Sequence, residues 1–176
     1  MKQINCLIQL VFIFLALFTI NLFAQLQDVE GWSNAKWGMT EDDLLKAFEG
    51  QIIKLAIPNQ YQNSYSNLEI PHVEINRDQY KVSFLMDNQT KRLTQVNITP
   101  LDKSALIVTF RSLEESLILK YGQPTYKNDE NTRYVESHKR TWNFPTTVIT
   151  LMYFDARVGT NLFALVYDPA KKEENL

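Results

Sequence analysis

Apolar residues that alternate with polar ones, in runs joined by short turns, restrict this chain more than any other feature of its sequence. Between positions 79 and 86 the apolar members of the alternation are Tyr80, Val82, Phe84 and Met86. A period of two is typical of a strand with one buried face. The turn at 87–90 is too short for a parallel crossover, so this run and the next one, at 93–99, pair antiparallel.

The same reasoning predicts seven strands in all, at 51–57, 68–75, 79–86, 93–99, 134–144, 146–154 and 162–167. Two polar stretches between them lack an apolar period and are predicted as loops, at 59–67 and 127–131. The last residues, 171–176, are charged and form a predicted frayed tail.

Two helices interrupt the strands. Thr40 is a good N-cap residue, Asp43 completes a capping box three residues later, and Gly50 suits a left-handed stop. The second helix is predicted at 104–121, because its apolar residues recur every three or four positions and Gly122 follows them.

The order of helix, strands, helix and strands predicts an α+β fold, with an antiparallel sheet and two helices on one of its faces. A single domain is expected over 25–170. Its halves, 32–100 and 101–168, have similar lengths and the same order of elements, which suggests a tandem duplication of a helix-plus-meander unit.

The N-terminal segment 1–24 has the layout of a secretory signal peptide: Lys2, an uncharged apolar run, and a small residue, Ala24. The expected location is therefore periplasmic or secreted. The alternative is a retained membrane anchor, since the apolar run approaches a bilayer-spanning length, and membrane contact is expected only in that event. The single cysteine, Cys6, lies in this segment, so the processed chain has neither disulfides nor cysteine ligands.

Charge and motifs exclude several functional classes. The formal net charge is −2, so there is no electrostatic basis for nucleic-acid binding. The sequence contains no phosphate-binding loop, no dinucleotide fingerprint and no nucleophile elbow. No cofactor is expected.

The stretch from Gly38-Met39-Thr40 into an acidic helix resembles the small outer-membrane assembly lipoproteins of the SmpA/OmlA type. The tandem helix-plus-sheet arrangement is also similar to the β-lactamase inhibitor proteins. Weaker echoes occur at Trp142 and in the segment 121–124. The chain lacks a lipobox, and this departure removes the basis for a lipid anchor. The resemblance implies a binding or scaffold module of the bacterial envelope rather than an enzyme, and it names no ligand.

Five aromatic residues are the candidate contacts for a protein or envelope partner. Tyr61 and Tyr65 lie in the polar stretch 59–67, and such mixtures of tyrosine with Asn, Gln and Ser are typical of binding loops. The alternative is a solvated connection between strands. Tyr153 and Tyr167 lie on the last two predicted strands, which have two apolar faces, and Trp142 is grouped with them because aromatic residues suit an interface. Cover from within the domain is the alternative there.

The competing hypothesis is a small exported metal-dependent hydrolase. His72 and Glu74, like Glu136 and His138, are two positions apart on predicted strands, so each pair shares one face. If the strands met, the four side chains would suit zinc, manganese or iron. The alternative is that they are polar residues on the outer face of the sheet.

Overall fold

The computed structural model describes residues 28–104 and 106–171, so the predicted signal segment 1–24 and most of the charged tail lie outside the described residues. The first half contains α1 (Glu41–Ala47), β1 (Ile53–Gln60), β2 (Ser64–Ile75), β3 (Asp78–Asp87) and β4 (Leu93–Pro100). The second half contains α2 (Leu106–Tyr121), β5 (Tyr126–Asn131), β6 (Glu136–Asn143), β7 (Thr147–Asp155) and β8 (Asn161–Pro169).

All eight strands form one sheet in the order β1-β2-β3-β4-β8-β7-β6-β5. Every neighbouring pair is antiparallel, as the short turns predict. Each half is a helix followed by a four-stranded meander. The halves join where β4 pairs with β8, through the three residue pairs Val96–Tyr167, Asn97–Val166 and Ile98–Leu165. We call this junction the seam.

The predicted α+β class is wrong, because the fold is dominated by its sheet. The helices contain only 7 and 16 residues, against eight strands in one continuous sheet. The sheet extends further at its two edges than the apolar alternation predicts. There, β5 consists of six exposed residues without an apolar period, and β1 runs to Gln60 and β2 begins at Ser64 within the predicted loop. The edge strands β1 and β5 bury little side-chain area and so lack the alternation by which strands are recognised. The start of β2 is buried, but its residues 64–67 are mostly polar and so show no apolar alternation.

The core lies on one face of the sheet, beneath both helices. On α1, Leu44 and Phe48 are buried, and the Phe48 ring lies 5.3 Å from that of Phe84 on β3. On α2, Phe110 packs 6.5 Å from Tyr153 of β7. Register places the core residues of neighbouring strands side by side on this face, for example Val82 beside Ile98. A helix of seven residues is not stable alone, so this packing holds α1 in place.

The predicted capping box of α1 is confirmed. The Thr40 hydroxyl accepts a hydrogen bond from the backbone N–H of Asp43 at 3.2 Å, and the Asp43 carboxylate accepts one from the backbone N–H of Thr40 at 3.0 Å. These bonds satisfy two groups that a helix start leaves unpaired. Trp32 stacks on Phe48 with ring centroids 5.9 Å apart, and so forms part of the surface on which α1 docks.

Within the described residues, neither helix combines the length and the apolar character needed to cross a lipid bilayer.

Candidate functional site

The structure places Tyr61 and Tyr65 at the β1–β2 hairpin, but in different environments. Tyr61 lies in the turn and is 49% exposed. Tyr65 is buried, and its hydroxyl donates a 2.7 Å hydrogen bond to Glu41 on α1. Burial and this neighbouring carboxylate raise the pKa of Tyr65 to about 12. Tyr61 therefore remains accessible to a partner, whereas Tyr65 links the hairpin to α1.

The other three aromatic candidates lie in the core. Trp142, Tyr153 and Tyr167 are each at most 5% exposed. The Trp142 indole donates to the carbonyl of Gly122 at 2.9 Å, which fixes the end of α2 to β6. Burial raises the pKa of both tyrosines, with further contributions from Asp155 near Tyr153 and from Tyr121 near Tyr167. The helix α2 thus covers these three aromatic residues, which is the alternative to a partner interface that the sequence left open.

The four residues of the metal hypothesis do not meet. His72 and Glu74 lie on β2, whereas Glu136 and His138 lie on β6, and four strands separate β2 from β6. Five strand spacings of about 4.8 Å place the pairs roughly 24 Å apart. Their registers also direct them to opposite faces of the sheet. One ion cannot contact both pairs, and the described residues contain no cluster of three or more side chains suited to a metal.

His138 and Glu136 belong instead to an ionic cluster around Arg140. Arg140 is 7% exposed and donates to Glu114 of α2 and, with two nitrogens, to Asp129 of β5 at 2.7 and 3.2 Å. The ring nitrogens of His138 face Asp129 at 2.6 Å and Glu136 at 3.2 Å. The hydrogen bonds from Arg140 hold the pKa of Asp129 below its usual value.

This ionic cluster has a structural role that accounts for all its members. It joins α2, β5 and β6, and Arg140 also lies 5.5 Å above the Phe110 ring. A buried cation needs such partners, because an unpaired charge would be costly to remove from water. No local pattern predicts this role for Arg140, since its partners are 26 and 11 positions away.

No helix of the described residues packs on the opposite face of the sheet, and we call it the helix-free face. On the four central strands β3, β4, β8 and β7 it consists of the residues that alternate with the core: Lys81, Ser83, Leu85, Gln95, Asn97, Val148, Thr150, Met152, Phe154, Leu162, Ala164, Val166 and Asp168. Most are half-buried by their neighbours in the sheet. Hydrogen bonds and ring contacts in the described part of the chain join both helices to the other face.

The helix-free face has few charges at its centre. Across the seam, the row Ser83, Asn97, Val166 and Thr150 is uncharged. Asp168 lies outside this row, toward the end of β8, and its carboxylate accepts a 2.7 Å hydrogen bond from Gln95. Burial raises the pKa of Asp168 in spite of this bond, because desolvation disfavours the carboxylate. The aromatic candidates Trp142, Tyr153 and Tyr167 lie on the other face, which the helices cover.

Comparisons with known proteins give a distant structural likeness. No protein-family model and no curated protein matches the sequence. Among solved structures, the chain is similar to a DUF4309 family protein (YjgB) from Bacillus subtilis subsp. subtilis str. 168. The TM-score is 0.40 and the identity 10%, over 74% of this chain and 78% of the other.

Proposed function

We propose that this chain is an exported, non-enzymatic binding module of the bacterial cell envelope, and that it holds a protein partner on its helix-free face. The observation that carries the proposal is the composition of that face. Its centre is apolar or uncharged over four adjacent strands, and no described helix covers it. Protein interfaces are depleted of charge at their centre and carry polar groups at the rim.

The charges of the helix-free face fit this arrangement. Lys81 lies toward one end of β3 and Asp168 toward the end of β8. Lys81 pairs with Glu69 on β2, with their charged atoms 3.6 Å apart. Charged groups at the margin of an interface govern orientation and the rate of encounter more than affinity. Tyr61 on the β1–β2 hairpin offers a second, separate contact.

The signal-peptide layout of residues 1–24 supports export, and the resemblance to envelope modules supports a location in the cell envelope. In that compartment the processed chain has no cysteine, so no disulfide contributes to its stability. The helix-free face therefore offers a preformed rigid surface, since strands hold side chains more firmly than loops.

Site-specific photo-crosslinking tests the proposal. A crosslinking amino acid replaces Thr150 at the centre of the helix-free face, or Leu119 on the outer face of α2, where the native side chain is 87% exposed. Each protein is expressed with its own export signal, and intact cells are irradiated so that crosslinking takes place in the envelope. We expect a discrete adduct of higher mass from position 150 only.

A second substitution, Val166→Arg, places a charge in the proposed interface, because Val166 lies directly beside Thr150 in the sheet. It should abolish the adduct from position 150, and circular dichroism would verify that the variant is folded. Tyr61→Ala tests whether the partner contacts the β1–β2 hairpin instead of the helix-free face. Equal adducts from positions 150 and 119, or none from 150, would overturn the proposal. Loss of the adduct with Tyr61→Ala but not with Val166→Arg would move the contact to the hairpin.

A further inference from the structure

The seam opens at one end because β4 cannot extend its pairing with β8. The backbone N–H of Leu101 donates to the carbonyl of Gln79 at 2.9 Å, on the β3 side of the strand. Successive backbone groups in a strand point to alternate sides, so the nitrogen of Pro100 faces β8. Proline has no N–H to donate. The ladder accordingly ends at the pair Ile98–Leu165, and the two strands diverge beyond it.

A groove of about 440 Å³ occupies the gap between the diverging strands. Its apolar lining includes the buried Leu106 at the start of α2 and the buried Phe163 of β8. Leu101 and Leu162 also line it and remain 44% and 47% exposed. The volume lies within the usual range for small-molecule sites, roughly 300–1,000 Å³. Two leucines left half in water at one cavity favour an apolar occupant.

The charged side chains of the groove are both cationic. Lys81 and Lys103 line it, and none of its lining residues is acidic. Glu69 lies 3.6 Å from Lys81 but outside the groove. The nearby carboxylate of Asp102 accepts the backbone N–H of Ser104 at 2.8 Å, which ties it to the start of α2 while it keeps its negative charge. The lining of the groove itself therefore combines an apolar wall with two cationic side chains.

We propose that this groove binds a single-chain amphiphile with an anionic headgroup, such as a fatty carboxylate or an alkyl phosphate. The chain would cover Leu101 and Leu162, and the headgroup would lie between the ammonium groups of Lys81 and Lys103. Such a ligand matches both the apolar lining and the sign of the charge. The inference does not depend on the proposed protein partner, because it uses the open end of the seam, which shares only Lys81 and Leu162 with the margin of the helix-free face.

Calorimetric titration of the full chain tests the inference with four probes below their micellar concentrations: decanoate, decyl phosphate, decyltrimethylammonium and acetate. We expect both decanoate and decyl phosphate to bind, and their affinity to fall as salt is added. The cation shares the tail but not the charge, and acetate shares the charge but not the tail, so neither should bind measurably. The tighter of the two anions identifies the headgroup as carboxylate or phosphate.

The double variant Lys81→Gln/Lys103→Gln should weaken the binding of decanoate about tenfold, or about 1.4 kcal/mol, because it removes both partly exposed cations that would contact the headgroup. The matched control, Lys120→Gln/Lys127→Gln, removes two lysines elsewhere and should bind like the wild type. Leu162→Ser tests the apolar wall and should also weaken binding. Equal binding of the cation, or equal loss in both double variants, would overturn the inference, as would no binding of either anion.

Discussion

The indole nitrogen of Trp37 donates a 2.9 Å hydrogen bond to the hydroxyl of Thr147, and this bond connects the two halves of the fold. Thr147 is fully buried at the start of β7. Its hydroxyl also accepts the backbone N–H of Gly31 at 3.0 Å and donates to the carbonyl of Val29. The segment before α1 is thereby fixed to the second half of the sheet, in addition to the three residue pairs of the seam.

Thr147→Val should lower the free energy of unfolding by about 2–4 kcal/mol. The substitution keeps the shape of the side chain but leaves the Trp37 indole, the Gly31 N–H and the Val29 carbonyl without this partner. Urea denaturation followed by tryptophan fluorescence measures the change. Thr150→Val is the matched control, because it makes the same replacement on the same strand but on the helix-free face. A loss no larger than that of the control would show that the three bonds contribute little.

Gly31→Ala should destabilise the protein by more than Gly38→Ala, although both glycines have positive φ, at 116° and 80°. A β-carbon at position 31 would lie 2.1 Å from the backbone oxygen of Ala35, whereas one at position 38 meets nothing within 4 Å. We expect about 1 kcal/mol for Gly38→Ala from the backbone conformation alone, and at least about 2 kcal/mol more for Gly31→Ala. Thermal and urea unfolding of both variants would check the order, and equal losses would contradict it.

The ionic cluster should make stability depend on pH through Asp129. Arg140 lowers the folded-state pKa of Asp129 below the usual 3.8. The ionised Asp129 carboxylate therefore contributes its full stabilisation of the folded state at pH values above 3.8. The contribution is lost as the pH falls through the folded-state pKa. Asp129→Asn should therefore be less stable than the wild type at pH 7, and the difference should shrink steadily below about pH 4. Urea titrations of both proteins from pH 7 to pH 2 measure it; a gap that does not change with pH would exclude this linkage.

Asp168→Asn should have the opposite effect and stabilise the protein at neutral pH. Burial raises the folded-state pKa of Asp168 above 3.8, so the carboxylate disfavours folding once the pH exceeds its unfolded value. An asparagine oxygen can still accept the hydrogen bond from Gln95 without the charge. We expect no gain below about pH 4, and a gain that grows and then levels off as the pH rises through the folded-state pKa of Asp168. Unfolding midpoints at pH 3.5, 5 and 7 would show it, and a loss at pH 7 would contradict it.

Local chemistry allowed parts of this fold to be predicted. The capping box of Thr40 and Asp43 uses residues three positions apart, and the alternation from Tyr80 to Met86 reports one buried face within a single strand. The strand β5 could not be predicted in this way, because its six exposed residues are held by backbone pairing with β6 rather than by their own burial. The α+β expectation failed for the same reason.

The candidate site was harder to predict than the fold. A strand with two apolar faces does not show which face a helix will cover, so Trp142 and Tyr153 were as eligible as Thr150 and Val166. The choice depends on the docking of α2, which is a long-range relationship. The groove likewise depends on Pro100, which ends the pairing of β4 with β8, a strand that begins more than sixty positions later in the chain.

The narrow seam also bears on how the protein opens before it unfolds. On either side of the seam the neighbouring strands pair over more residues, with seven pairs between β3 and β4 and nine between β7 and β8, whereas the halves share three. Partial opening takes the route that breaks the fewest contacts. Amide protons at the seam should therefore exchange with solvent sooner than those in the middle of β7, and the two meanders should behave as separate cooperative units once the segment before α1 is released from Thr147.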